Sequence, residues 1–230
     1  MSRVQGGGNI VISGLTMYLD AANPKSYVSG STVWNDISQR GLIGTLTNGP
    51  TFSNTKVGSI VFDGVDDYVD IPTSPIVNTS YNNWTIDVWM RPGALVSRFI
   101  SPSSGGTSFN FITYDAVNQR PTLNISETSI GGNIRVRAGT VRSMLVNNWS
   151  MLTISINNLS IKIYVNGILT NTYTETIDIV SWEGSWRLGQ RYNNTFWYLG
   201  EIAMVKTYSR ELTSTEVLQN YNATKSRFGL

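Results

Sequence analysis

An all-β sandwich, two antiparallel sheets with one short C-terminal helix, is the fold class this sequence predicts, and three observations predict it. Residues 149–167 (WSMLTISINNLSIKIYVNG) alternate apolar and polar side chains over two stretches separated by Asn157-Asn158. A period of two with one apolar face marks strands that bury that face. Short β-prone segments bounded by Gly, Pro, Asn and Asp recur through the rest of the chain, a spacing that suits a sandwich better than alternating strands and helices. A helix signature occurs near the C-terminus, where Thr213 and Glu216 have the spacing of a capping box and Leu212 and Val217 that of a hydrophobic staple.

The elements follow in order. Residues 10–19 are an apolar run that ends at Pro24 and its small polar neighbours, and short segments follow at residues 34–38 and 44–50. Residues 59–62 and 68–71 flank Asp63-Gly64-Val65-Asp66-Asp67, which predicts a hairpin with Gly64 at its tight point. In residues 84–90, Trp84, Ile86, Val88 and Met90 share one face and Thr85, Asp87 and Trp89 the other, until Arg91-Pro92-Gly93 ends the strand. The pattern weakens over residues 99–146, where 109–114, 122–125 and 133–136 are the strand candidates. Asn166-Gly167 is a strong hairpin signal, so residues 168–173 return as a third strand of a meander. Residues 186–189 and 198–208 are further strands, and the helix starts at Thr213 with Val217, Leu218 and Tyr221 on its buried side.

The chain has 230 residues, enough for one sandwich core, and divides into an N-terminal arm at 1–9 and a domain at 10–230. Gly6-Gly7-Gly8 costs backbone entropy to fix, so the arm is expected to be held by something outside the domain, most simply a neighbouring subunit. Seventeen basic against 15 acidic side chains leave a net charge of +2 with no basic run that tracks a phosphate backbone, so nucleic acid is not an expected partner. Cysteine and histidine are both absent. That removes disulfides, the usual nucleophile–base pairs and the common zinc ligand sets. No apolar run approaches the roughly 20 residues that span a bilayer, and residues 1–9 lack a signal peptide's apolar core, so membrane insertion is not expected and synthesis in a cytoplasm is.

Several of these segments together also resemble a known family. FDGVDDYV at 62–69, NWTIDVWMRP at 83–92, the stretch 149–167, WRLG at 186–189, LGEIAMV at 199–205 and YSRELT at 208–213 have the order and spacing of laminin-G-like domains. These belong to the concanavalin A-like lectin/glucanase superfamily, which implies a jelly-roll sandwich over roughly residues 14–225. The opening, MYLDAANPKSY at 17–27 with Trp34-Asn35-Asp36 and TLTNGPTF at 45–52, and the ending QNYNA at 219–223, resemble the version found in virion proteins of tailed bacteriophages.

Four chemical readings follow. Asp63, Asp66 and Asp67, with Asp70 nearby, supply enough carboxylate oxygen for a calcium site; some family members bind calcium at the sandwich rim. Solvated turn acids are the alternative, since aspartate commonly caps β-turns. Glycoside hydrolysis needs two opposed carboxylates, and the Glu-x-Asp-x-x-Glu strand of the superfamily's hydrolases is missing; Ala203-Met204 also stands where family members commonly carry Asp-Glu. The aromatic and amide-rich stretch Trp182, Trp186, Tyr192, Asn193, Asn194, Phe196 and Trp197 suits sugar stacking, although tryptophans of a sandwich are often core, as expected of Trp84 and Trp149. The same aromatics and an excess of arginine over lysine suit contacts with copies of the chain or with other virion proteins. The resulting expectation is a non-enzymatic virion structural protein of a tailed phage, a capsid decoration or fibre component with host-surface glycans as a candidate partner; the alternative is a free carbohydrate-binding, lectin-like module.

Overall fold

The computed structural model describes residues 9–55, 57–76, 83–94, 97–102, 111–126, 134–175, 184–190 and 196–230. Sixteen strands, numbered in chain order, form two sheets of eight. The first sheet contains β1 (Leu15–Asp20), β4 (Thr51–Ser53), β5 (Ser59–Asp63), β7 (Asn83–Pro92), β12 (Ser150–Asn157), β13 (Ser160–Val165), β14 (Ile168–Thr174) and β16 (Leu199–Tyr208). Its order is β14-β13-β12-β7-β16-β5-β4, with β1 also paired to β16. The second contains β2 (Val33–Asn35), β3 (Ile43–Thr47), β6 (Tyr68–Ile71), β8 (Ser97–Pro102), β9 (Phe111–Asp115), β10 (Arg120–Ser126), β11 (Ile134–Ala138) and β15 (Trp186–Leu188), in the order β11-β10-β9-β8-β15-β6-β3-β2. Every described strand pair is antiparallel.

The core between the sheets is made of the alternating residues read from the sequence. Trp84, Ile86, Val88 and Met90 of β7 and Leu152, Ile154 and Ile156 of β12 face Val69, Ile71, Ile112, Leu123, Trp186 and Leu188 of the second sheet, all of them buried. The meander is closed by two tight turns. Asn158 (φ 49°) opens the first, and Asn166 and Gly167 (φ 53° and 78°) form the second, the pair of left-handed residues that a two-residue hairpin requires.

Two expectations are corrected. The segment 59–71 is not a hairpin: β5 belongs to the first sheet and β6 to the second, so Asp63–Asp67 carries the chain across the sandwich. Ile60 and Phe62 enter the core from one sheet, and Val69 and Ile71 enter it from the other. The second face of β7 and β12 is also buried, since Thr85, Asp87, Trp89, Met151, Thr153 and Ser155 are all covered. The cover is the C-terminal segment, α1 (Ser214–Thr224) followed by a 3-10 turn (Lys225–Phe228). Finally, α1 buries Val217, Asn220 and Thr224; Leu218 is exposed and Tyr221 half-buried.

The polar residues of that cover are its fasteners. Trp89 stacks on Phe228 at 3.8 Å between ring centres and donates its indole N–H to Thr224 Oγ1 at 2.8 Å. Asn220 Nδ2 donates to Asp87 Oδ2 and to the Tyr208 hydroxyl, both at 3.0 Å, while its Oδ1 accepts from the Val11 N–H at 2.8 Å. Asp87 and Lys206, fully buried and directly paired across β7 and β16, form an ion pair at 3.0 Å. The capping box is present: Thr213 Oγ1 accepts from Glu216 N–H, and the Glu216 carboxylate accepts from Thr213 N–H. The Arg210 guanidinium grips the same carboxylate at 2.6 and 2.9 Å.

Two predictions follow from this cover. Lys206→Met strands the Asp87 carboxylate without its cation and is expected to lose about 3–5 kcal/mol in urea unfolding, with K206M/D87L losing less because no unpaired charge remains. Glu216, held down from 4.5 to about 2 chiefly by its bonds to Arg210 and also by Thr213, has a depressed folded-state pKa. Its stabilisation is therefore complete above pH 4.5 and disappears as pH falls towards 2, so Glu216→Gln should cost stability at pH 7 and little at pH 2 in parallel thermal melts.

Candidate functional site

Beside the end of β7, the C-terminal segment and the loop leading into β12 enclose an open cleft of about 530 Å³. Trp149, Asn147, Asn148, Arg91, Arg142 and Phe228 are among its lining residues. Local backbone constraints place them. The Asn147 N–H donates to the Pro92 carbonyl at 2.8 Å, tying the loop to β7, and Asn147 itself has φ 61°, a conformation asparagine tolerates better than most residues. The Trp149 ring is half-buried, 5.1 Å from the Phe228 ring and beneath the Arg91 guanidinium at 5.9 Å. At the far wall, Asn166 Oδ1 accepts from the Met151 N–H at 2.9 Å, which fixes the amide and leaves its NH₂ free to donate.

Arg91 and Asn147 also line a second cleft of about 340 Å³, bounded by Val61, Phe62, Gly93, Leu199, Gly200 and Glu201. The two share a wall and make one extended groove. Gly200 (φ 147°) lets the strands close here, because a Cβ would lie 2.5 Å from the Arg91 carbonyl oxygen. Among the described residues Glu201 is the one acidic side chain lining either cleft, and it is committed: Arg91 pairs with it and the Ser59 hydroxyl donates to it at 2.6 Å. An aromatic face beside several fixed amide and guanidinium donors suits hydroxyl-rich ligands.

The residues picked from the sequence fare differently. Trp186 is fully buried in the inter-sheet core, so its ring presents no face to a ligand; a three-residue strand between β6 and β8 leaves it pointing inward. Trp197 is half-buried, while Trp182, Tyr192 and Asn193 lie outside the described residues, as does the arm at 1–8. Trp149, expected in the core, packs half-buried against the outer cluster and also lines the cleft. The signal for it was present: Asn147-Asn148-Trp149 sets two amides against an aromatic just before a strand.

Asp63, Asp66 and Asp67 do come together, with carboxylate oxygens within 4.8 Å of one another. Much of their capacity serves the turn. Asp63 Oδ1 accepts from the Val65 N–H at 2.8 Å, and Asp67 Oδ2 accepts from the Asp63 N–H at 3.0 Å. Calcium takes six to eight oxygens, so a site here would need both oxygens of some carboxylates, backbone carbonyls or water beside the three that converge.

A family model described as the concanavalin A-like lectin/glucanases superfamily, in its laminin-G form, matches residues 63–218. The chain belongs to that superfamily. No curated protein sequence matches this superfamily member significantly. Among solved structures it is similar to domain 4 of AbnA, an extracellular GH43 arabinanase from Geobacillus stearothermophilus, solved in complex with arabinotriose: TM-score 0.69, 18% identity, over 91% of this chain and 98% of that one. It is also similar to the botulinum neurotoxin serotype G binding domain (TM-score 0.69, 16% identity, 90% of this chain) and to the binding domain of Paraclostridial Mosquitocidal Protein 1 (TM-score 0.67, 15% identity, 90%). It spans about half the length of those two toxin domains, 50% and 52%. At these identities the likeness is one of fold.

In this laminin-G-like domain the acidic turn yields a third prediction. Burial raises the Asp67 carboxyl above its ordinary 3.8, with Asp63 and Asp66 adding repulsion. A raised folded-state pKa means that the charged form destabilises the fold, and that stability declines as pH rises above 3.8. Asp67→Asn keeps an oxygen for the Asp63 N–H and removes the charge, so its melting midpoint should exceed the wild type's at pH 7 and converge with it at pH 3.

Proposed function

We propose that this protein is a non-enzymatic carbohydrate-recognition domain that binds an oligosaccharide along the groove of Arg91, Asn147 and Trp149. The observation that carries the reading is the half-buried Trp149 ring set among the Asn147, Asn148 and Asn166 amides. A pyranose or furanose ring lays its C–H face on the indole, and the Asn147, Asn148 and Asn166 amides meet its hydroxyls. The side chains of Asn147 and Asn148 make no hydrogen bond among the described residues, so neither surrenders a protein partner on binding. The similarity to an arabinanase domain solved with arabinotriose supports the same class of ligand. Catalysis is left out of the reading because, among the described residues, a two-carboxylate mechanism finds a single acidic side chain in the groove, already paired.

The finer form of the proposal places the domain in a tailed-phage particle, attached to other virion subunits or to its own copies, with the groove facing the host surface. The segments at 17–52 and 219–223, which resemble those of phage virion proteins, favour this setting. Native mass measurement tests it: a fixed-stoichiometry oligomer, or co-purification with particles, is the expected result, and a free monomer overturns the particle setting while leaving the lectin reading intact.

For the groove, arabinotriose and a glycan array are the first probes. Trp149→Ala and Asn147→Gly, the latter compatible with the left-handed backbone, should each weaken the best ligand at least about tenfold in calorimetry, the effect of losing roughly 1.4 kcal/mol of contact. Wild-type affinity in both variants would exclude the groove.

A further inference from the structure

We propose that the sugar held beside Trp149 is acidic, a uronate whose carboxylate is met by Arg142. This inference rests on the carbohydrate reading of the same groove and names the ligand class within it. Arg142 lines the cleft, is exposed, and has neither an ion pair nor a side-chain hydrogen bond among the described residues. The other charged side chains of the groove cancel: Arg91 is paired with Glu201, and among the described residues no further acidic side chain lines either cleft, which leaves Arg142 as the one basic side chain there without an acidic side-chain partner.

Its placement is constrained on all sides. Arg142 has φ 59°, an uncommon conformation for a residue of its size. The turn is nonetheless fastened: the Arg142 N–H donates to the Asn118 carbonyl at 2.8 Å, the Ser143 N–H to Thr140 at 3.1 Å and the Met144 N–H to Gln119 at 3.0 Å. Buried Met144 is locked further by the Tyr114 hydroxyl, which donates to its carbonyl at 2.9 Å. A guanidinium raised on a rigid turn keeps its planar fork for a carboxylate, which it can engage through two parallel N–H bonds. Next to it the Ser143 hydroxyl is buried without a hydrogen-bond partner among the described residues, a donor that gives up no existing bond in turning to a ligand. With an aromatic floor, neutral amides and one free cation, the cleft matches a sugar ring that carries hydroxyls and a single anionic group.

The test compares short oligosaccharides of galacturonate, glucuronate and mannuronate with their methyl esters, which keep the ring and hydroxyls and lose the charge. Calorimetry on the full chain should find at least one uronate bound tenfold or more tighter than its ester, with that preference shrinking as salt rises. Arg142→Gln should abolish the preference for acid over ester; Trp149→Ala should weaken both. Equal binding of acid and ester, or a preference that survives Arg142→Gln, overturns the uronate assignment and spares the carbohydrate reading. Binding of sulfated glycans alone transfers the anion to sulfate and likewise overturns it. Failure of every oligosaccharide, charged or neutral, removes both readings together.

Discussion

Strand β7 is buried on both faces, and the rest of the molecule is arranged to satisfy it. An antiparallel sheet ordinarily leaves one face to water, and its strands then alternate apolar with polar. Here the inner face carries Trp84, Ile86, Val88 and Met90, and the outer face carries Thr85, Asp87 and Trp89, all of them out of solvent. The inner row needs only an opposing sheet. The outer row contains a carboxylate and an indole N–H, so it needs a cover with matched polar groups, and Lys206, Asn220 and Thr224 supply them. Because Lys206 and Asp87 are direct partners across β16 and β7, a register slip between these central strands would separate a buried ion pair, a stronger penalty than loss of apolar contact alone.

The same cover shapes the groove. Phe228 stacks on Trp89 with one neighbour and tilts against Trp149 with another, so the residue that closes the outer core also sets the exposure of the ring in the cleft. Arg91 likewise has two attachments, an ion pair with Glu201 and a position over the Trp149 ring. Groove residues are therefore held by packing that exists for the fold, which is the condition for a site to be ready before its ligand arrives.

The sandwich was legible because its strongest signal, period-two alternation ended by left-handed asparagines and glycines, depends on neighbours in sequence. Leu152, Ile154 and Ile156, the Asn166-Gly167 turn and the Thr213–Glu216 box needed no knowledge of what lay across the core. What was lost is what depends on distant contact. The acid-rich turn at 63–67 has the local chemistry of a hairpin, but which sheet each flanking strand joins is decided by β16 and β15, more than a hundred residues away. Thr85, Asp87 and Trp89 show by their polarity no sign of burial, and the partners that cover them lie in the last quarter of the chain. Trp186 and Trp149 exchange expected roles for the same reason: composition marks an aromatic as fit for core or ligand, and only the covering element decides between them.

Sugar binding and assembly, which began as competing readings, are complementary on physical grounds. A single half-buried ring with a few amides on an open cleft gives modest affinity per site, since each donor must first lose water and ordering the sugar costs entropy. Linking sites raises effective concentration, and avidity then exceeds single-site affinity by orders of magnitude when spacing allows simultaneous contact. A shallow groove of this kind works best when it is repeated on a rigid frame. The proposed groove suits such a frame, because Phe228 of the C-terminal cover braces both Trp89 and Trp149 through packing that already serves the fold.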